Sequence, residues 1–423
     1  TLGIKRAAHL LRRAAFGGTK ADIDAFAALT APVAVSNLFS KSLPDPVLPV
    51  DPLTNLEWIT SGTSNSGSED SELQEYFKGW FIGQMLGSGQ ALNDKLSYQV
   101  REKIVLFMHT HFTTKQSVVS NSRSLYFQNQ LFRIYALDRN LDVEFNFKNL
   151  TKKICLDNAM LKFLDGRLNV KGNPNENFAR ELMELYTIGR GLEGTLPEAT
   201  EQGDYFNFKE EDVQAAARIL SGFDIDEDFI TIDQETALPR GRARGGINAT
   251  QHDTGSKQFS DRLDNAVINP DPVLIADPLV TNEEVAIDEI SQLIELLYSK
   301  NETARHICRK IYRFFVYHDI TPEIESNIIA EMANTFISSG YKIQNVIEEL
   351  LASQHFYDAN AGVDDNNFGG IIKSPLDLIL QTIQFFELSL PDYTGDLSNF
   401  YELTSDLLRS MDYQGLDFYE PFE

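Results

Sequence analysis

The chain has 423 residues, and 37 Lys and Arg against 62 Asp and Glu give it a formal net charge of −25 at pH 7. This acidity argues against a nucleic-acid-binding protein, because neutralising phosphates requires Lys and Arg. Two cysteines are too few for a disulfide scaffold or a four-thiolate zinc site, and no apolar run approaches the roughly 18 residues of a membrane span. A hydrophobic fraction of 42% predicts a folded globular protein.

Apolar residues recur at spacings of three and four along most of the chain, which is typical of amphipathic helices. The predicted fold class is mainly α: a large single-domain, multi-helix fold over residues 1–423, with long irregular loops and at most minor β-hairpins. In chain order, helices are predicted at about residues 4–14, 20–39, 71–87, 91–109, 121–137, 141–164, 175–188, 209–222, 284–299, 302–318, 322–338, 341–353 and 374–388.

Two stretches interrupt the helical pattern. Residues 43–70 are rich in Pro, Ser and Gly, which predicts a long surface loop. Residues 224–281 are irregular and carry a local basic cluster at Arg240, Arg242 and Arg244. Because a loop this long inside a compact protein is usually functional or flexible, we expect a lid or the edge of a site there.

Charge is distributed unevenly along the chain. Residues 1–21 contain five bases and no acid, whereas residues 358–423 contain 13 acids and two bases. Helix-spaced apolar residues run through the acidic stretch, so we interpret it as a folded helical region with an acidic surface rather than a separate tail.

The sequence lacks the common short catalytic motifs. It has no GxxxxGK[ST] phosphate loop, HExxH zinc helix, strand-mounted GxGxxG or GxSxG nucleophile elbow, so nucleotide binding and serine-based acyl transfer have no local support. Cys155 and Cys308 lie among helix-spaced apolar residues, which favours buried free thiols.

The densest group of polar residues lies in the predicted helix 175–188. Glu176, Arg180 and Glu184 are spaced by four and would share one helix face, with Glu181 close by. One interpretation is an exposed stripe of ion pairs. The other is that one or two of these carboxylates face a pocket and act in catalysis, with Arg180 holding their geometry.

A second candidate is the pair His109 and His111. Inside a helix, side chains two residues apart point about 200° away from each other and cannot bind one ion together. Thr113 and Thr114 suggest that the helix ends nearby, which would allow a shared metal ion. The alternative is that both histidines cap the helix end.

The third candidate is His252 with Asp253 in the irregular loop, and its alternative is a solvated, Asp-rich turn. Four further histidines are interpreted as structural: His9, His306, His318 and His355.

Together these residues suggest one composite site. His109 or His111, Glu176 or Glu181, and His252 or Asp253 would converge as three ligands of a zinc, manganese or iron(II) ion that activates water. Without a metal, the same groups would serve as a general acid and base. Spacing in the sequence does not decide whether they converge.

Several segments, in their order along the chain, resemble the bacterial family called domain of unknown function 1800 (DUF1800). They are HLLRRAAFG (residues 9–17), LFMHTHF (106–112), NPNENFARELMELYTIG (173–189), EEDVQAAARILSGF (210–223), HDTGSKQF (252–259) and KSP (373–375). The resemblance covers nearly the whole chain.

The resemblance implies an exported protein that acts in the periplasm, at the cell surface or after secretion. It also implies a partner, a sulfatase-like protein of a second family of unknown function (DUF1501) encoded nearby. The recurring polar positions of the family correspond to His9, Arg12, Arg13, His109, His111, Asn175, Glu176, Arg180, Glu181, Glu184, His252 and Asp253.

The chain departs from the family pattern in two places. Met108 stands where the first aromatic residue of a Trp-His-x-His-Phe motif is usual, which alters the packing of both histidines. Family members usually continue with a Pro-Pro-x-Val-x-Gly-Trp-like segment, so we expect the sequence to continue past Glu423.

Two functional hypotheses follow from these observations. The first is an exported enzyme with a His/Glu/Asp pocket, such as a metal-assisted hydrolase. In that enzyme Glu176, Arg180, Glu181, His252 and Asp253 are catalytic, and His109, His111, Glu176 and His252 bind the metal. The second is a non-catalytic cell-surface or secretion-associated protein whose polar motifs are buried structural networks.

Overall fold

The computed structural model describes residues 1–40, 42–88, 95–137, 145–196, 202–357 and 371–421. Helices dominate these ranges, and their strands pair only into small two-stranded antiparallel sheets. The predicted mainly α class is therefore confirmed. Over the same ranges, every helix is too short or too polar to cross a membrane.

The helices are numbered in chain order. They are α1 (Gly3–Ala14), α2 (Lys20–Ala27), α3 (Ala31–Phe39), α4 (Asp70–Met85), α5 (Lys95–His111), α6 (Gln116–Val119), α7 (Ser122–Ala136), α8 (Phe147–Ile154), α9 (Asn158–Phe163), α10 (Asn177–Glu181), α11 (Glu210–Ile219), α12 (Pro272–Ala276), α13 (Asn282–Tyr298), α14 (Asn301–Phe315), α15 (Pro322–Ile324), α16 (Ala330–Ser338), α17 (Ile343–Ala352), α18 (Pro375–Phe385) and α19 (Leu397–Asp412).

The strands form three short antiparallel pairs, and two helical segments wind as π-helix. The pairs are β1 (Val50–Asp51) with β2 (Leu56–Glu57), β3 (Phe223–Asp224) with β4 (Arg242–Ala243), and β5 (Lys257–Gln258) with β6 (Val267–Ile268). The π-helical segments are Leu182–Tyr186 and Glu325–Ile329.

The chain forms two compact units. The first comprises Thr1–Arg139, Ile311–Ile328 and Ile343–Glu423, and the second comprises Asn140–Lys310 and Ile329–Lys342. The single domain expected from the sequence stays a prediction.

In the first unit, α4, α5 and α7 pack against one another around large aromatic side chains. Trp80, Phe107 and Phe132 are among the fully buried ones. Glu102 of α5 is also fully buried and accepts two hydrogen bonds from Arg133 of α7, at 3.0 and 2.7 Å. This paired charge fixes α5 against α7, because a buried carboxylate is stable only when its charge is compensated.

Helix α19, which the sequence analysis missed, packs on α4 at two glycines. A Cβ atom at Gly79 would lie 2.5 Å from the Thr404 hydroxyl, and one at Gly83 would lie 2.6 Å from the Phe400 ring. The bare backbone of α4 at these positions therefore lets α19 approach closely.

In the second unit, α13 packs against both α8 and α11. Leu293 and Leu297 of α13 are fully buried there. Cys155 and Cys308 also lie in this unit, and both are buried free thiols, as predicted.

Two long predicted helices are each divided. The helix predicted at 20–39 begins at Lys20, after Thr19, whose side chain forms a capping box with Asp22. It breaks before α3, which carries Pro32 in its first turn. Residues 141–144 of the helix predicted at 141–164 lie outside the described ranges, and the observed helix, α8, ends at Ile154. A new helix, α9, then begins where the Asp157 side chain accepts a hydrogen bond from the Met160 amide.

The segment predicted as a surface loop, 43–70, is partly buried instead. Trp58 is fully buried, and so is Asp51. Its carboxylate accepts hydrogen bonds from the amides of Leu53, Gly67 and Ser68. A carboxylate with three amide donors can be buried without a cation, and it ties the two ends of this segment together. The segment 224–281 is irregular, as predicted.

Candidate functional site

Glu176 and Arg180 interact, as their spacing predicted, in a half-buried ion cluster of the second unit. Nη2 of Arg180 lies 3.3 Å from Oε2 of Glu176 and 2.6 Å from Oε1 of Glu210. Nη1 of Arg180 donates to the hydroxyl of Tyr205 at 3.0 Å. Burial and the neighbouring Glu210 raise the pKa of Glu176, whereas Arg180 lowers the pKa of Glu210 to about 2. The contact between Glu176 and Arg180 is the ion pair that their spacing of four residues predicts.

Glu184 does not join this cluster. It lies in the π-helical segment that follows α10, where the wider turn breaks the four-residue register on which the prediction relied. Its Oε2 instead accepts from Arg190 at 2.6 Å. Glu181 is half-buried, and burial together with the charge of Glu184 raises its pKa.

His252 lies at the centre of a buried polar network in the second unit. Nδ1 lies 2.9 Å from the carbonyl oxygen of Ser221, and Nε2 lies 2.5 Å from Oε2 of Glu289. The other oxygen of Glu289 accepts from Nζ of Lys257 at 2.5 Å. His252, Lys257 and Glu289 are all buried. Both ring nitrogens of His252 therefore already have partners, and a metal ion would have to displace one of them.

Asp253, next to this network, forms a two-point ion pair with Arg218. Its two carboxylate oxygens lie 2.8 and 3.2 Å from Nε and Nη2 of Arg218. This pairing lowers the pKa of Asp253 to about 2. The carboxylate is thus ionised at neutral pH and serves as a fixed partner for Arg218.

The basic cluster of the irregular segment is also paired. Arg240 lies 3.1 Å from Glu283, and Arg244 lies 3.0 Å from Asp224. These contacts hold the segment within the second unit, and the lid expected from the sequence stays a prediction.

His109 and His111 both lie inside the last turn of α5. Their side chains therefore leave the helix in nearly opposite directions, and a shared metal ion is not supported. Their surroundings differ accordingly. His109 stacks on Tyr419, whereas His111 meets Phe112 edge-on.

The metal site expected from the sequence is not shown. Throughout the described ranges, no three His, Cys, Asp or Glu side chains are grouped as metal ligands would be. His109 and His111 belong to the first unit, whereas Glu176, Glu181 and His252 belong to the second. The catalytic and metal-binding roles assigned to these residues stay predictions.

A large cavity lies within the first unit, with a volume of about 870 Å³. Three of the family-like motifs contribute to its wall: His9, Arg12 and Arg13 from α1, His109 from α5, and Lys373 and Ser374 just before α18. We call it the basic cavity. Its convergence of separate motifs makes it the strongest candidate functional site.

Most of the charged side chains that line the basic cavity are positive. Among the lining residues that the structure describes, six are cations, namely Lys5, Arg12, Arg13, Lys103, Arg313 and Lys373, and two are acids, namely Asp377 and Asp417. The local excess is therefore 6 − 2 = 4 positive charges, in a chain whose net charge is −25. Apolar side chains complete the wall, among them Leu106, Phe314 and Phe418.

Only part of this positive charge is neutralised within the cavity. Nζ of Lys103 lies 2.5 Å from Oδ1 of Asp377, whose Oδ2 accepts from the Ser374 hydroxyl at 3.0 Å. In contrast, Arg12 and Lys373 make no ion pair with any described residue.

The positive charges of Arg12, Arg13 and Lys373 repel one another. Burial lowers the pKa of Lys373, and the positive charges of Arg12 and Arg13 lower it further. Burial and then Arg13 lower the pKa of His9 to about 4, so its imidazole is neutral at pH 7. Like charges held close together in this way are stabilised when an anion binds between them.

His109 presents an unsatisfied polar atom in the wall of this cavity. The side chain is 6% exposed, and Nδ1 has no hydrogen-bond partner among the described residues. Burial lowers its pKa to about 4. A buried nitrogen without a partner is unusual in a folded protein, and here it lines a cavity large enough for a ligand.

Several residues of this site could not be identified from the sequence. His9 was interpreted as structural, and its ring nitrogen Nε2 does lie 3.1 Å from the carbonyl oxygen of Phe356, but the residue also lines the cavity. Lys103, Arg313 and Tyr419 were not proposed. One signal was available: Lys5, His9 and Arg12 follow a spacing of four and three, which places them on one face of α1.

The chain matches the model of a family described as "Protein of unknown function (DUF1800)" over residues 9–423. No curated protein and no solved structure matches it.

Proposed function

The chain belongs to the DUF1800 family, which is defined without a known activity, and we propose from the geometry of the basic cavity that the protein binds a small anion with an apolar body. One observation carries this proposal. Among the described residues, six Lys and Arg side chains and two Asp side chains line one cavity of a chain with net charge −25. A surface this acidic offers little other reason to gather cations in one place.

The cavity also suggests the kind of anion. Its volume of about 870 Å³ lies in the range of cavities that hold small organic ligands. Arg12 and Lys373 would bind a phosphate, sulfate or carboxylate group, because charge-assisted hydrogen bonds to such groups are strong. Leu106, Phe314 and Phe418 would cover the apolar part of the same ligand.

This proposal develops the non-catalytic alternative drawn from the sequence. Several of the side chains assigned to a metal-assisted hydrolase are engaged in ion pairs, as Asp253 is with Arg218 and Arg180 is with Glu210. We further propose, from the family resemblance, that the protein acts outside the cytoplasm beside a DUF1501 protein. A sulfatase-like partner would be compatible with an anionic ligand.

Binding of hexyl phosphate, measured by calorimetry, tests the proposal. We expect the wild-type protein to bind hexyl phosphate more tightly than inorganic phosphate, which lacks the apolar body, and more tightly than hexanol, which lacks the charge. Arg12→Gln and Lys373→Gln should each weaken binding about tenfold or more, since each removes one charge-assisted contact.

The matched control is Arg409→Gln, which removes an exposed arginine of α19 outside the cavity wall. It should leave the affinity unchanged. An equal loss of affinity in all three variants would show that only the net charge of the protein matters, which would contradict the proposal. Unchanged affinity in both cavity variants would also contradict it.

A further inference from the structure

A second cavity in the first unit contains a fully buried carboxamide without partners. Gln99 of α5 is 0% exposed, and neither Oε1 nor Nε2 has a hydrogen-bond partner among the described residues. The side chain lines a cavity of about 570 Å³. The described residues that line this cavity differ from those that line the basic cavity, so we treat the two as separate sites. We call this second one the Gln99 cavity.

A further observation marks the Gln99 cavity as a place where a polar ligand would be satisfied. The hydroxyl of Ser88, which also lines it, is buried and unsatisfied. Three polar atoms without partners thus face one cavity, although buried polar groups are normally hydrogen-bonded.

Gln99 needs an explanation because an apolar side chain would suit its position better. It lies within a helix whose neighbouring residues are buried, and Met has a similar length and no polar atom. Burying an amide without hydrogen bonds costs free energy. A ligand that supplies one donor and one acceptor would recover that cost.

The remaining walls indicate the chemistry of such a ligand. Aliphatic side chains form much of the wall, among them Leu86, Leu96 and Ile383. Acidic side chains also line it: Asp22, Glu387 and Asp392, with Lys95 as the one cation among the lining residues that are described. A ligand with an apolar side chain, an amine and an adjacent donor–acceptor pair would match all three features.

We propose that the Gln99 cavity binds a small peptide-like ligand, with the carboxamide of Gln99 paired to an amide group of that ligand. The N–H of Gln99 donates to the amide oxygen of the ligand, and Oε1 of Gln99 accepts from its amide N–H. The aliphatic wall holds an apolar side chain, and the acidic groups attract the amine.

The test uses L-leucinamide as the probe and isoamylamine as its matched counterpart, which has the same apolar chain and amine without the amide. On the full chain, we expect leucinamide to bind at least about tenfold more tightly than isoamylamine. Gln99→Met should remove that preference, whereas Arg12→Gln in the basic cavity should not change it. Methyl glucoside is included because vicinal hydroxyls also offer a donor and an acceptor.

The melting temperature of the ligand-free protein is measured on the same samples. Gln99→Met should leave it unchanged or raise it, because the variant removes polar atoms without partners. The control is Gln74→Met, which removes a buried amide that does donate, to Asp70 at 2.7 Å, and should lower it. A comparable fall in Gln99→Met would show that ordered water already satisfies Gln99 and would overturn the proposal. Equal binding of leucinamide and isoamylamine, or tighter binding of methyl glucoside, would overturn it as well.

Discussion

The imidazole ring of His109 stacks on the phenol ring of Tyr419, with 4.0 Å between the ring centroids and 28° between the planes. The contact joins the end of α5 to the last described segment of the chain. The carbonyl oxygen of Tyr419 also accepts a hydrogen bond from the amide of Gln116, at 2.9 Å. Since both rings line the basic cavity, that segment is part of its wall.

Removing the stacked ring should expose His109 to solvent. We expect Tyr419→Ala to raise the pKa of His109 from about 4 towards its ordinary value of about 6.5, because burial is the cause of the present shift. A titration of the imidazole by NMR measures the change. Tyr413→Ala, at an 82% exposed position of the same segment, is the control. A pKa that stays near 4 in Tyr419→Ala would show that other groups bury the imidazole.

The two cavity histidines should make folding stability depend on pH. His9 and His109 have a pKa of about 4 in the folded protein and of about 6.5 when unfolded. Between these values the unfolded chain binds more protons, so stability should fall as the pH drops from about 6.5 to about 4. For His109 the total loss is on the order of 3 kcal/mol.

Denaturant unfolding at several pH values measures this dependence. His109→Phe keeps an aromatic ring against Tyr419 and removes the titrating group, so its stability should fall less steeply over that pH range than the stability of the wild type. The carboxylates that titrate in the same pH range are present in both proteins. The difference between the two stability curves therefore reports on His109. Parallel curves would contradict the prediction.

Replacing Glu289 should destabilise the second unit strongly. Glu289→Ala leaves Lys257 and His252 buried without the carboxylate that both contact. Breaking a buried ion pair by removing one partner costs about 3–5 kcal/mol. The control is Asp288→Ala on the same helix, where a half-exposed carboxylate accepts from Gln292. It should cost less than about 1 kcal/mol.

The outcome also bears on His252. If Glu289→Ala proves as mild as its control, the network around His252 would not be structural, and a catalytic role for His252 would regain support. Thermal unfolding of the two variants is sufficient to decide between these alternatives.

Much of the helical fold could be predicted because the spacing of apolar residues within a short segment is enough to indicate a helix. The spacing around α5, α11 and α13 indicates helices close to their observed bounds. The π-helical segment 182–186 could not be predicted, because one extra residue per turn is stabilised by tertiary contacts and leaves no local pattern. For this reason, the spacing of four residues placed Glu184 on the wrong face of the helix. Helix α19 had only an indirect signal, the pair Gly79 and Gly83 one turn apart on α4.

The candidate site could be predicted only in parts. The spacing of His9 and Arg12 places both side chains on one face of α1. Both residues belong to the segment 9–17, which supports the family resemblance. Nothing local to α1 shows that this face opens onto a cavity. The cavity also needs Lys103, Arg313 and Asp417, which come from three distant segments of the first unit. Only the tertiary structure brings these segments together.

Gly222 should be intolerant of any side chain. Its φ is +85°, and a Cβ atom would lie 2.5 Å from the amide nitrogen of His252. Gly222→Ala would therefore combine backbone strain with a clash against rigid backbone, and we expect a loss of more than about 2 kcal/mol. Gly172→Ala is the control, since its φ is +79° with open space around it. It should cost about 1 kcal/mol. Chemical denaturation measures the free energy of unfolding of both variants. Equal losses of stability would mean that the backbone near His252 shifts to make room for the new Cβ atom.

Glu176 distinguishes the remaining hypotheses for the Glu/Arg cluster. We expect Glu176→Ala to cost less than about 1 kcal/mol, because the side chain is half-exposed and Arg180 keeps Glu210 as a partner at 2.6 Å. Glu211→Ala, at an exposed position of α11, provides the baseline. A much larger loss in Glu176→Ala would identify a buried structural role. Metal analysis of the same purified samples tests the metal-site prediction: a lower metal content in Glu176→Ala than in the wild type would support Glu176 as a ligand, and equal content would remove it from the set.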